Sequence, residues 1–406
     1  MIEPSEALKI ILDSAERLEA KSVPVDQSVG FVLDEDITSL DDIPPFDNSA
    51  MDGFAILAED TIGATKDNPA RLKIIDDQPA GKVSDKEVEK GTAIKVMTGA
   101  PIPKGTNTVV PIEDTEYDDE EVNILVESKK DRHIRLAGED IRSGSTVLST
   151  GKVIDPVEVG VMASVGKSDI KVIRKPKVAV IGTGDEIVPL GEPLTPGKIR
   201  DSNSYVIYNQ ALCCGAISHR IGIAKDTLED VREKLLVALQ HDVIITTGGV
   251  SVGERDFVKD VMEELGAEHK FWKVAQKPGK PLVFMTVGQK LFFGLPGNPV
   301  AAVVSFEEYV RPALLKMMGR KKLFRPLVNA VASEDLKKKP GRTHFVGVMV
   351  DKKDGDYHVR LNGRQGSGIL TSMAGAEGIA ILPKESGLIE KGQLIEVQLI
   401  DQPEDH

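Results

Sequence analysis

Cysteine is scarce in this sequence of 406 residues, which contains two, Cys213 and Cys214, side by side. Adjacent cysteines rarely form a disulfide with each other, and no C-x-x-C spacing occurs, so the sequence indicates neither a disulfide framework nor a zinc site. The seven histidines are scattered and also lack the spacing of metal ligands. We expect both thiols to be buried on a helix.

Long apolar runs and an excess of positive charge are also missing. No apolar stretch approaches the roughly 20 residues that a membrane-spanning helix needs, and residues 1–20 lack the basic start and cleavage site of a signal peptide. We therefore expect a cytoplasmic protein that does not bind a membrane. The net charge of −13 argues against nucleic acid as the main partner, because phosphate backbones require a basic footprint. A small anion is not excluded, since it responds to the local field.

Four regions of different character follow one another along the chain, which is long enough for two or three domains. Residues 1–20 have helical periodicity. Residues 46–140 are rich in Pro, Gly and Asp with short strand-like runs, which predicts a β-rich insertion. Residues 176–318 alternate strand and helix patterns, which predicts a mostly parallel sheet covered by helices. Residues 325–406 return to short alternating runs, which indicate a small β-barrel or sandwich.

The α/β region alternates predicted strands, of which 177–181 and 242–246 are apolar runs, with predicted helices. The predicted strands are 177–181, 217–224, 242–246 and 291–293, and the predicted helices are 202–214 and 227–240. In open α/β sheets, ligands bind beyond the carboxyl ends of the strands. The loops that follow these strands are therefore the predicted site.

Each of those four loops carries glycine, proline or carboxylate residues. The candidate residues are Asp185 and Glu186 after the first strand, Asp226 after the second, Gly248, Gly249, Ser251, Gly253 and Asp256 after the third, and Pro296, Gly297, Asn298 and Pro299 after the fourth. Four such loops at one sheet edge are stronger evidence for a site than any one of them.

A purely structural interpretation exists for most of these residues. Asp226 with Glu229 fits an ordinary helix start, and Asp256 suits the first turn of a helix. Glu186 fits a solvated loop, and Asn298 followed by Pro299 fits an N-cap and first helical position. Capping and ligand binding are compatible, because the free N–H groups at a helix start bind anions.

Cations and glycines extend the prediction to a phosphorylated ligand. The three glycines after the third strand permit close approach of an anion to the main chain. The segment WKVAQKPGKPL adds Lys273, Lys277 and Lys280, which otherwise fit a solvated basic turn. Carboxylates beside lysines suggest Mg²⁺ with phosphates, because Mg²⁺ is usually held by one or two carboxylates and substrate phosphate oxygens.

The chain resembles the molybdopterin molybdenumtransferase family and is similar to the E domain of gephyrin. The segments that carry the resemblance are PPFDNSAMDGFA (44–55), VMTGAPIPKGTNTVV (96–110), RLAGEDI (135–141), GTGDEI (182–187), IRDSN (199–203), TTGGVSVGERDFVK (246–259), KPGKPL (277–282) and GLPGNPV (294–300). They occur in the family's order, and Phe54 is a conservative departure where family members often have tyrosine.

The resemblance implies a multidomain α/β plus β architecture. The expected domains are an elongated N-terminal domain (1–45 and 141–175), a β-rich inserted domain (46–140), a molybdopterin-binding α/β domain (176–320) and a C-terminal β-barrel (325–406). It further implies a homodimer whose active cleft lies between the α/β domain of one subunit and the β-rich domain of the other.

The reaction implied by the resemblance inserts molybdate into adenylylated molybdopterin with release of AMP and a requirement for Mg²⁺. Carried over by motif, the catalytic residues are Asp52, Thr98, Asp140, Glu186, Asp226 and Asp256, of which the last three are candidate metal ligands. The expected substrate contacts are Gly248, Gly249, Ser251, Gly253, Lys277, Lys280, Pro296, Gly297, Asn298 and Pro299.

Other functions share features with this chain. The adenylyltransferase of the preceding step, also an expected partner, and some nucleotide-cleaving hydrolases use the same α/β domain, but the DNSAMDGFA and MTGAP segments favour the transferase. A non-enzymatic scaffold is an alternative of a different class, because gephyrin also clusters receptors, but a scaffold does not need the acidic residues that this chain retains. The choice between molybdate and tungstate stays open from the sequence.

Overall fold

The computed structural model of the protein describes residues 1–249 and 257–400. The chain divides into two compact units: the first comprises residues 1–22, 30–34 and 171 onward, and the second comprises residues 23–29 and 35–170. The α-helices of the described residues are α1 (Pro4–Ser14), α2 (Pro156–Ser164), α3 (Asn203–Cys213), α4 (Leu228–Ala238), α5 (Phe257–Glu264), α6 (Pro299–Ser305) and α7 (Arg311–Met317), with a π-helical turn at Phe306–Val310 between the last two.

A six-stranded sheet forms the centre of the first unit. Its strands are β1 (Lys177–Thr183), β2 (Ile217–Ala224), β3 (Val243–Thr247), β4 (Glu268–Lys273), β5 (Pro281–Val287) and β6 (Lys290–Leu295). The spatial order is β2-β1-β3-β6-β5-β4. The first four strands in this order are parallel, and β5 pairs antiparallel with both β6 and β4. The predicted mostly parallel sheet is therefore confirmed.

Helices cover both faces of this sheet because alternate apolar residues of each strand point to opposite sides. Val180 belongs to the buried cluster that contains residues of α1, α3, α6 and α7. Its neighbour Ala179 belongs to the opposite cluster with Val231 and Leu235 of α4. The apolar residues of α4 thus pack against the second face of the sheet.

The C-terminal part of the first unit contains a closed barrel of five strands. These strands are Leu327–Ala332, Thr343–Lys353, Asp356–Leu361, Gly378–Leu382 and Leu394–Leu399. Closure follows from the antiparallel pairing of the second with the fourth strand, His344 opposite Leu382. The predicted C-terminal β-barrel is confirmed.

The second unit is dominated by β-structure, as predicted for residues 46–140. Its largest sheet has the spatial order Thr108–Pro111, Gly53–Ile56, Thr92–Val96, Ala70–Gln78, Glu121–Ile124 and Thr115–Tyr117. Phe54 and Ile94, both fully buried, lie on opposite faces of this sheet.

Short strand pairs complete the two units. They are Asn48–Ser49 with Ile134–Arg135, Ile37–Thr38 with Thr146–Leu148, Ile187–Val188 with Ile199–Arg200, and Leu336–Lys337 with Leu388–Ile389. Ala20–Pro24, Asp169–Ile173 and Val32–Leu33 form a three-stranded sheet, and Gln276–Lys277 adds to the edge of the barrel strand Thr343–Lys353.

Two local expectations from the sequence were wrong. The N-terminal helix ends at Ser14 rather than near residue 20, because Ala15 is extended and the N–H of Leu18 donates to the carbonyl of Met317, a tertiary contact that overrides helix propensity. Cys213 is exposed and Cys214 is only partly buried, because both occur where α3 ends. Within the described residues, no helix is long and apolar enough to cross a membrane.

Candidate active site

The register of the central sheet brings four strand ends to the same edge. Thr183 of β1 lies opposite Ala224 of β2. Gly182, one residue earlier, lies opposite Thr247 of β3, which itself lies opposite Leu295 of β6. Because these strands are parallel, the chain leaves the sheet at four neighbouring positions on one side. The four loops singled out from the sequence therefore begin close together.

A cavity of about 840 Å³ lies at this edge, a size that suits a small organic ligand. Eight of the predicted site residues line it: Glu186, Asp226, Gly248, Gly249, Pro296, Gly297, Asn298 and Pro299. Three others, Ser251, Gly253 and Asp256, lie outside the described residues. The structure thus gathers residues from all four loops around a single space.

Asp185 and Asp226 hold the first two loops together through reciprocal hydrogen bonds. The N–H of Asp226 donates to Asp185 Oδ1 over 3.1 Å, and the N–H of Asp185 donates to Asp226 Oδ2 over 3.4 Å. The second oxygen of each carboxylate takes no part in these two hydrogen bonds. Glu186 lies next to this pair, and its carboxylate folds against Gly184, where an added Cβ would stand 2.5 Å from Glu186 Oε2.

Helix α4 does not use Asp226 as its cap. The N-cap is Thr227, whose hydroxyl accepts from the N–H of Asp230 over 3.3 Å. Asp230 in turn accepts from the N–H of Lys225 over 2.6 Å. The capping alternative for Asp226 is therefore wrong, because the helix start is already satisfied and the Asp226 carboxylate is turned toward the neighbouring loop at the cavity.

The structure requires glycine at positions 248 and 249 for reasons that are independent of any ligand. Their φ angles are +91° and +64°, in the region that favours glycine. A Cβ on Gly248 would lie 2.6 Å from the carbonyl oxygen of Thr183, and one on Gly249 would lie 2.7 Å from Thr183 Oγ1. The two glycines therefore let the β3 loop lie directly on the end of β1, and this contact shapes the cavity wall.

The loop of residues 296–299 is attached to the start of α3. Asn203 Nδ2 donates to the carbonyl of Gly297 over 2.8 Å. Asn298 is the N-cap of α6 and Pro299 follows inside the helix, as expected, although the Asn298 side chain makes no capping hydrogen bond. The Asn298 side chain therefore does not cap α6 through a hydrogen bond.

Asp201 is a cavity residue that sequence reasoning missed. It is 2% exposed, accepts from the N–H of Ser204 over 3.0 Å and from the Ser204 hydroxyl, and lies 3.8 Å from Arg220. The spacing of Asp and Ser at the start of a predicted helix is a capping signal that indicates its position. Arg200, one residue earlier, is an exposed cation of the cavity lining.

Lys277 and Lys280 are both exposed, and neither belongs to the cavity lining, to which their segment contributes Pro281. Lys277 lies opposite His344 in the parallel strand pairing at the edge of the barrel. Burial and the nearby charges of Lys277, Lys338 and Arg342 lower the pKa of His344 to about 4. The lysines therefore add positive potential beside the barrel, and their role toward a substrate stays a prediction.

In the second unit, Asp52 and Thr98 are brought together as a hydrogen-bonded pair. The N–H and the hydroxyl of Thr98 both donate to Asp52 Oδ1, over 2.7 and 2.8 Å. These bonds lower the pKa of the Asp52 carboxyl below its usual value. Asp52 is therefore held ionised and oriented.

The three sequence motifs of the second unit form one connected surface. The segment after Pro44 bonds to residues 97–102 and to residues 133–141: for example, Gly99 N–H donates to Ser49 O over 2.8 Å, and Ala137 N–H donates to Asp47 Oδ1 over 2.7 Å. Asp140 is exposed, and its N–H donates to the carbonyl of Ile43 over 3.1 Å. The motifs thus support one another's backbone.

The carboxylates of the cavity fit Mg²⁺ by their donor chemistry. Glu186 and Asp226 offer oxygen ligands at one cavity, and Mg²⁺ prefers oxygen, retains several waters and needs few protein ligands. Within the described residues, no group of three or more His, Cys, Asp or Glu side chains is arranged around a metal position. The third predicted ligand, Asp256, lies outside those residues.

Comparison with known proteins gives matches along almost the whole chain. Family models match at residues 2–166 (MoeA N-terminal region, domains I and II), 179–316 (a "probable molybdopterin binding domain") and 329–400 (MoeA C-terminal region, domain IV). The fold and the site therefore define a multidomain protein of molybdenum cofactor biosynthesis.

Relatives and solved structures narrow this class to one family. Proteins named molybdopterin molybdenumtransferase are 36% identical in Staphylococcus epidermidis, over 98% of this chain and 96% of theirs, and in Bacillus subtilis, over 97% and 93%. A crystal structure of a molybdopterin biosynthesis moeA protein from Pyrococcus horikoshii is 32% identical, with a TM-score of 0.82 over 99% of this chain and 100% of the other. The chain belongs to the molybdopterin molybdenumtransferase (MoeA) family of transferases.

Proposed function

We propose that this transferase inserts molybdate into adenylylated molybdopterin, releases AMP and depends on Mg²⁺. The observation that carries the proposal is the cavity at the four parallel strand ends, where Glu186 and Asp226 lie together in a chain of this family. Such a site suits the cleavage of a phosphoanhydride, because this cleavage concentrates negative charge on the leaving phosphate.

Glu186 and Asp226 are the proposed metal ligands, with Asp256 as a third. When bound, Mg²⁺ neutralises and orients phosphate oxygens. The hydrogen bonds between the Asp185 and Asp226 loops keep the Asp226 carboxylate at the cavity. Arg200 supplies a cation to the same space and is proposed to face a phosphate group.

Backbone groups and prolines are proposed to hold the rest of the substrate. Gly248 and Gly249 present bare main chain at the cavity, while Pro296 and Pro299 stiffen the loop that Asn203 anchors. Ser251 and Gly253 are proposed to extend this wall. Lys277 and Lys280 remain proposed contacts for molybdate, a dianion that requires donors rather than carboxylates.

Asp52, Thr98 and Asp140 are proposed to complete the catalytic set through a homodimer, in which these groups serve the cavity of the other subunit. The ionised, oriented Asp52 supports this role, because a carboxylate fixed by two donors is prepared for contact with a metal ion. We propose the domain bounds 1–45 with 141–175, 46–140, 176–320 and 325–406.

A cytoplasmic location is proposed for this enzyme. The proposed additional partner is the adenylyltransferase of the preceding step, because a labile adenylylated intermediate is best handed directly from one enzyme to the next.

A defined reaction tests this function. Pure protein is incubated with adenylylated molybdopterin and Mg²⁺, with molybdate, with tungstate or with neither, and AMP and metal-loaded product are measured. We expect AMP release coupled to metal insertion and loss of both on chelation of Mg²⁺. AMP release without metal insertion contradicts the proposal. In a parallel reaction with ATP and unmodified molybdopterin, formation of the adenylate assigns the chain to the preceding step instead.

A further inference from the structure

A second cavity of about 710 Å³ lies in the first unit and shares no lining residue with the candidate active site. One wall is a face of α3 that includes Tyr205, Asn209 and Gln210, and the opposite wall comes from the segment around α7. This cavity lies toward the C-terminal end of α3, whereas Ser202 and Asn203 at the start of α3 line the active-site cavity. The two cavities therefore lie toward different ends of one helix.

Positive charge dominates the lining of this second cavity. Five cations contribute to it, Lys175, Arg311, Arg320, Lys322 and Arg325, against one carboxylate, Glu307, among the described residues. Five minus one leaves an excess of four positive charges, in a chain whose net charge is −13. Such a concentration against the overall charge indicates a local site for an anion.

The single carboxylate does not neutralise the whole cluster. Glu307 Oε1 lies 2.6 Å from Arg325 Nε and 3.3 Å from Arg311 Nε. Within the described residues, no carboxylate lies within 4.0 Å of the charged groups of the remaining three lining cations. Arg320 donates instead to the carbonyl of Gly30 over 3.2 Å, and Lys175 lies 4.4 Å from the ring of Phe31.

Buried polar atoms at this cavity lack partners. Arg320 Nε and Gln210 Oε1 are both buried without a hydrogen-bond partner among the described residues. A buried donor without a partner costs free energy that a bound group recovers. Arg320 Nε is therefore available to donate to an oxyanion, and Gln210 Oε1 is available to accept from a ligand donor.

Burial, together with repulsion from neighbouring cations, lowers the pKa values of two residues of this cavity. Burial, with the charges of Lys21 and Arg320, lowers the pKa of Lys175. Burial also lowers the pKa of Arg311, to which the charges of Arg325 and Arg320 contribute, although Glu307 acts in the opposite direction. An anion placed among them relieves this repulsion.

An apolar cavity of about 380 Å³ adjoins the cationic one. The two share Val206, Gln210, Glu307 and Ile400, and the apolar cavity adds residues such as Leu370 and Met373. A ligand that occupies both spaces has an anionic end and an organic end. Cys214 does not offer an alternative explanation as a reactive thiol, because burial raises its pKa to about 12.

We propose that the cationic cavity binds a small organic phosphate, with its phosphate groups against Arg320, Lys322 and Lys175 and its organic part directed to the adjoining apolar cavity. Guanidinium groups suit this ligand because their planar donors match phosphate oxygens. The site is distinct from the proposed catalytic cavity and does not depend on the reaction carried out there.

Calorimetric titration of the full chain with ATP and with inorganic tripolyphosphate tests the proposal. EDTA is present throughout, so that no metal links a phosphate to the carboxylates of the active-site cavity. We expect both probes to bind, ATP more tightly because of its organic part. Absence of ATP binding at millimolar concentration overturns the proposal. If tripolyphosphate binds as tightly as ATP or more tightly, the proposed organic part of the ligand is wrong and the cavity is assigned to an inorganic polyphosphate.

Variants of adjacent residues locate the binding site. Arg320→Gln should weaken ATP binding about tenfold, the effect of one charge-assisted hydrogen bond, and Lys322→Gln about threefold. Lys321→Gln removes the same charge from an exposed neighbour that does not line the cavity and should change binding little. Equal losses in Lys321→Gln and Lys322→Gln overturn the proposal.

Two further measurements separate folding and location. Arg320 also bonds to Gly30, so its replacement affects stability; the exposed Lys322 provides the test if Arg320→Gln does not fold. Arg200→Gln changes the active-site cavity only. ATP binding that is lost in Arg200→Gln and retained in Lys322→Gln overturns the proposal by assigning the nucleotide to the active-site cavity.

Discussion

Replacement of Gly248 by alanine tests how the active-site cavity is built. At φ +91° the new side chain adopts a left-handed conformation, which costs about 1–2 kcal/mol. Its Cβ would also stand 2.6 Å from the carbonyl oxygen of Thr183, a backbone atom that cannot rotate away. Overpacking of this kind costs about 1–3 kcal/mol more. We therefore expect Gly248→Ala to lose about 2–5 kcal/mol of unfolding free energy.

Gly266→Ala is the matched control for this effect. Gly266 has a similar φ of +83°, but an added Cβ meets nothing within 4 Å, so we expect about 1–2 kcal/mol there. The single tryptophan, Trp272, lies in β4 of the same sheet, and its fluorescence during urea unfolding reports on this region. Metal insertion should fall in Gly248→Ala and persist in Gly266→Ala at a temperature where both are folded. Equal stability losses in the two variants refute the steric argument.

Three further predictions address charge at the site and in the core. Asp226→Asn should reduce metal insertion about 100-fold or more at unchanged thermal stability, because it removes one proposed ligand charge. Thr98→Val should raise the pKa of Asp52 toward its ordinary value, because one of its two donors from residue 98 is lost; the carboxyl signal of Asp52 in an NMR titration measures this. Burial raises the pKa of Glu308 to about 7. Its folded pKa thus exceeds its unfolded pKa, so stability is full below about pH 4.5 and is lost as pH rises through 7. Between pH 6 and 8 the wild type should lose about 1 kcal/mol more than Glu308→Gln, as read from urea unfolding.

Each of these has its control. Glu229→Gln removes a charge from the same helix start away from the cavity and should leave metal insertion intact; equal losses in Glu229→Gln and Asp226→Asn contradict the ligand assignment. An unchanged Asp52 titration in Thr98→Val shows that the hydroxyl does not stabilise the carboxylate. Parallel stability curves for Glu308→Gln and wild type between pH 6 and 8 contradict the burial argument.

Much of the central sheet was predictable from the sequence. The strand Ile217–Ala224 has the predicted bounds, and the alternation of strands with helices predicted the mostly parallel sheet in which β1, β3 and β6 lie. The strands β1, β3 and β6 follow local patterns because they are buried on both faces and read as apolar runs. The four loops could be predicted as neighbours because each follows the carboxyl end of a strand in the same parallel sheet.

Other features depend on contacts between distant segments. The reciprocal hydrogen bonds of Asp185 and Asp226 require β1 and β2 to be adjacent in a particular register, which neither loop encodes alone. The helix end at Ser14 depends on a hydrogen bond from Leu18 to Met317, which lies in a distant part of the chain. The cationic cavity likewise combines residues 175, 311, 320, 322 and 325, whose charges look unremarkable when each is considered in its own segment.

Closure of the C-terminal sheet has a consequence for solubility. Every strand of the five-stranded barrel has a partner on both sides, including Gly378–Leu382, which pairs with Thr343–Lys353 and with Leu394–Leu399. Unpaired strand edges are the surfaces through which β-proteins aggregate by adding foreign strands. By pairing its second strand with its fourth, this part of the enzyme closes the sheet and removes the template for such growth without needing charged or proline residues to block it.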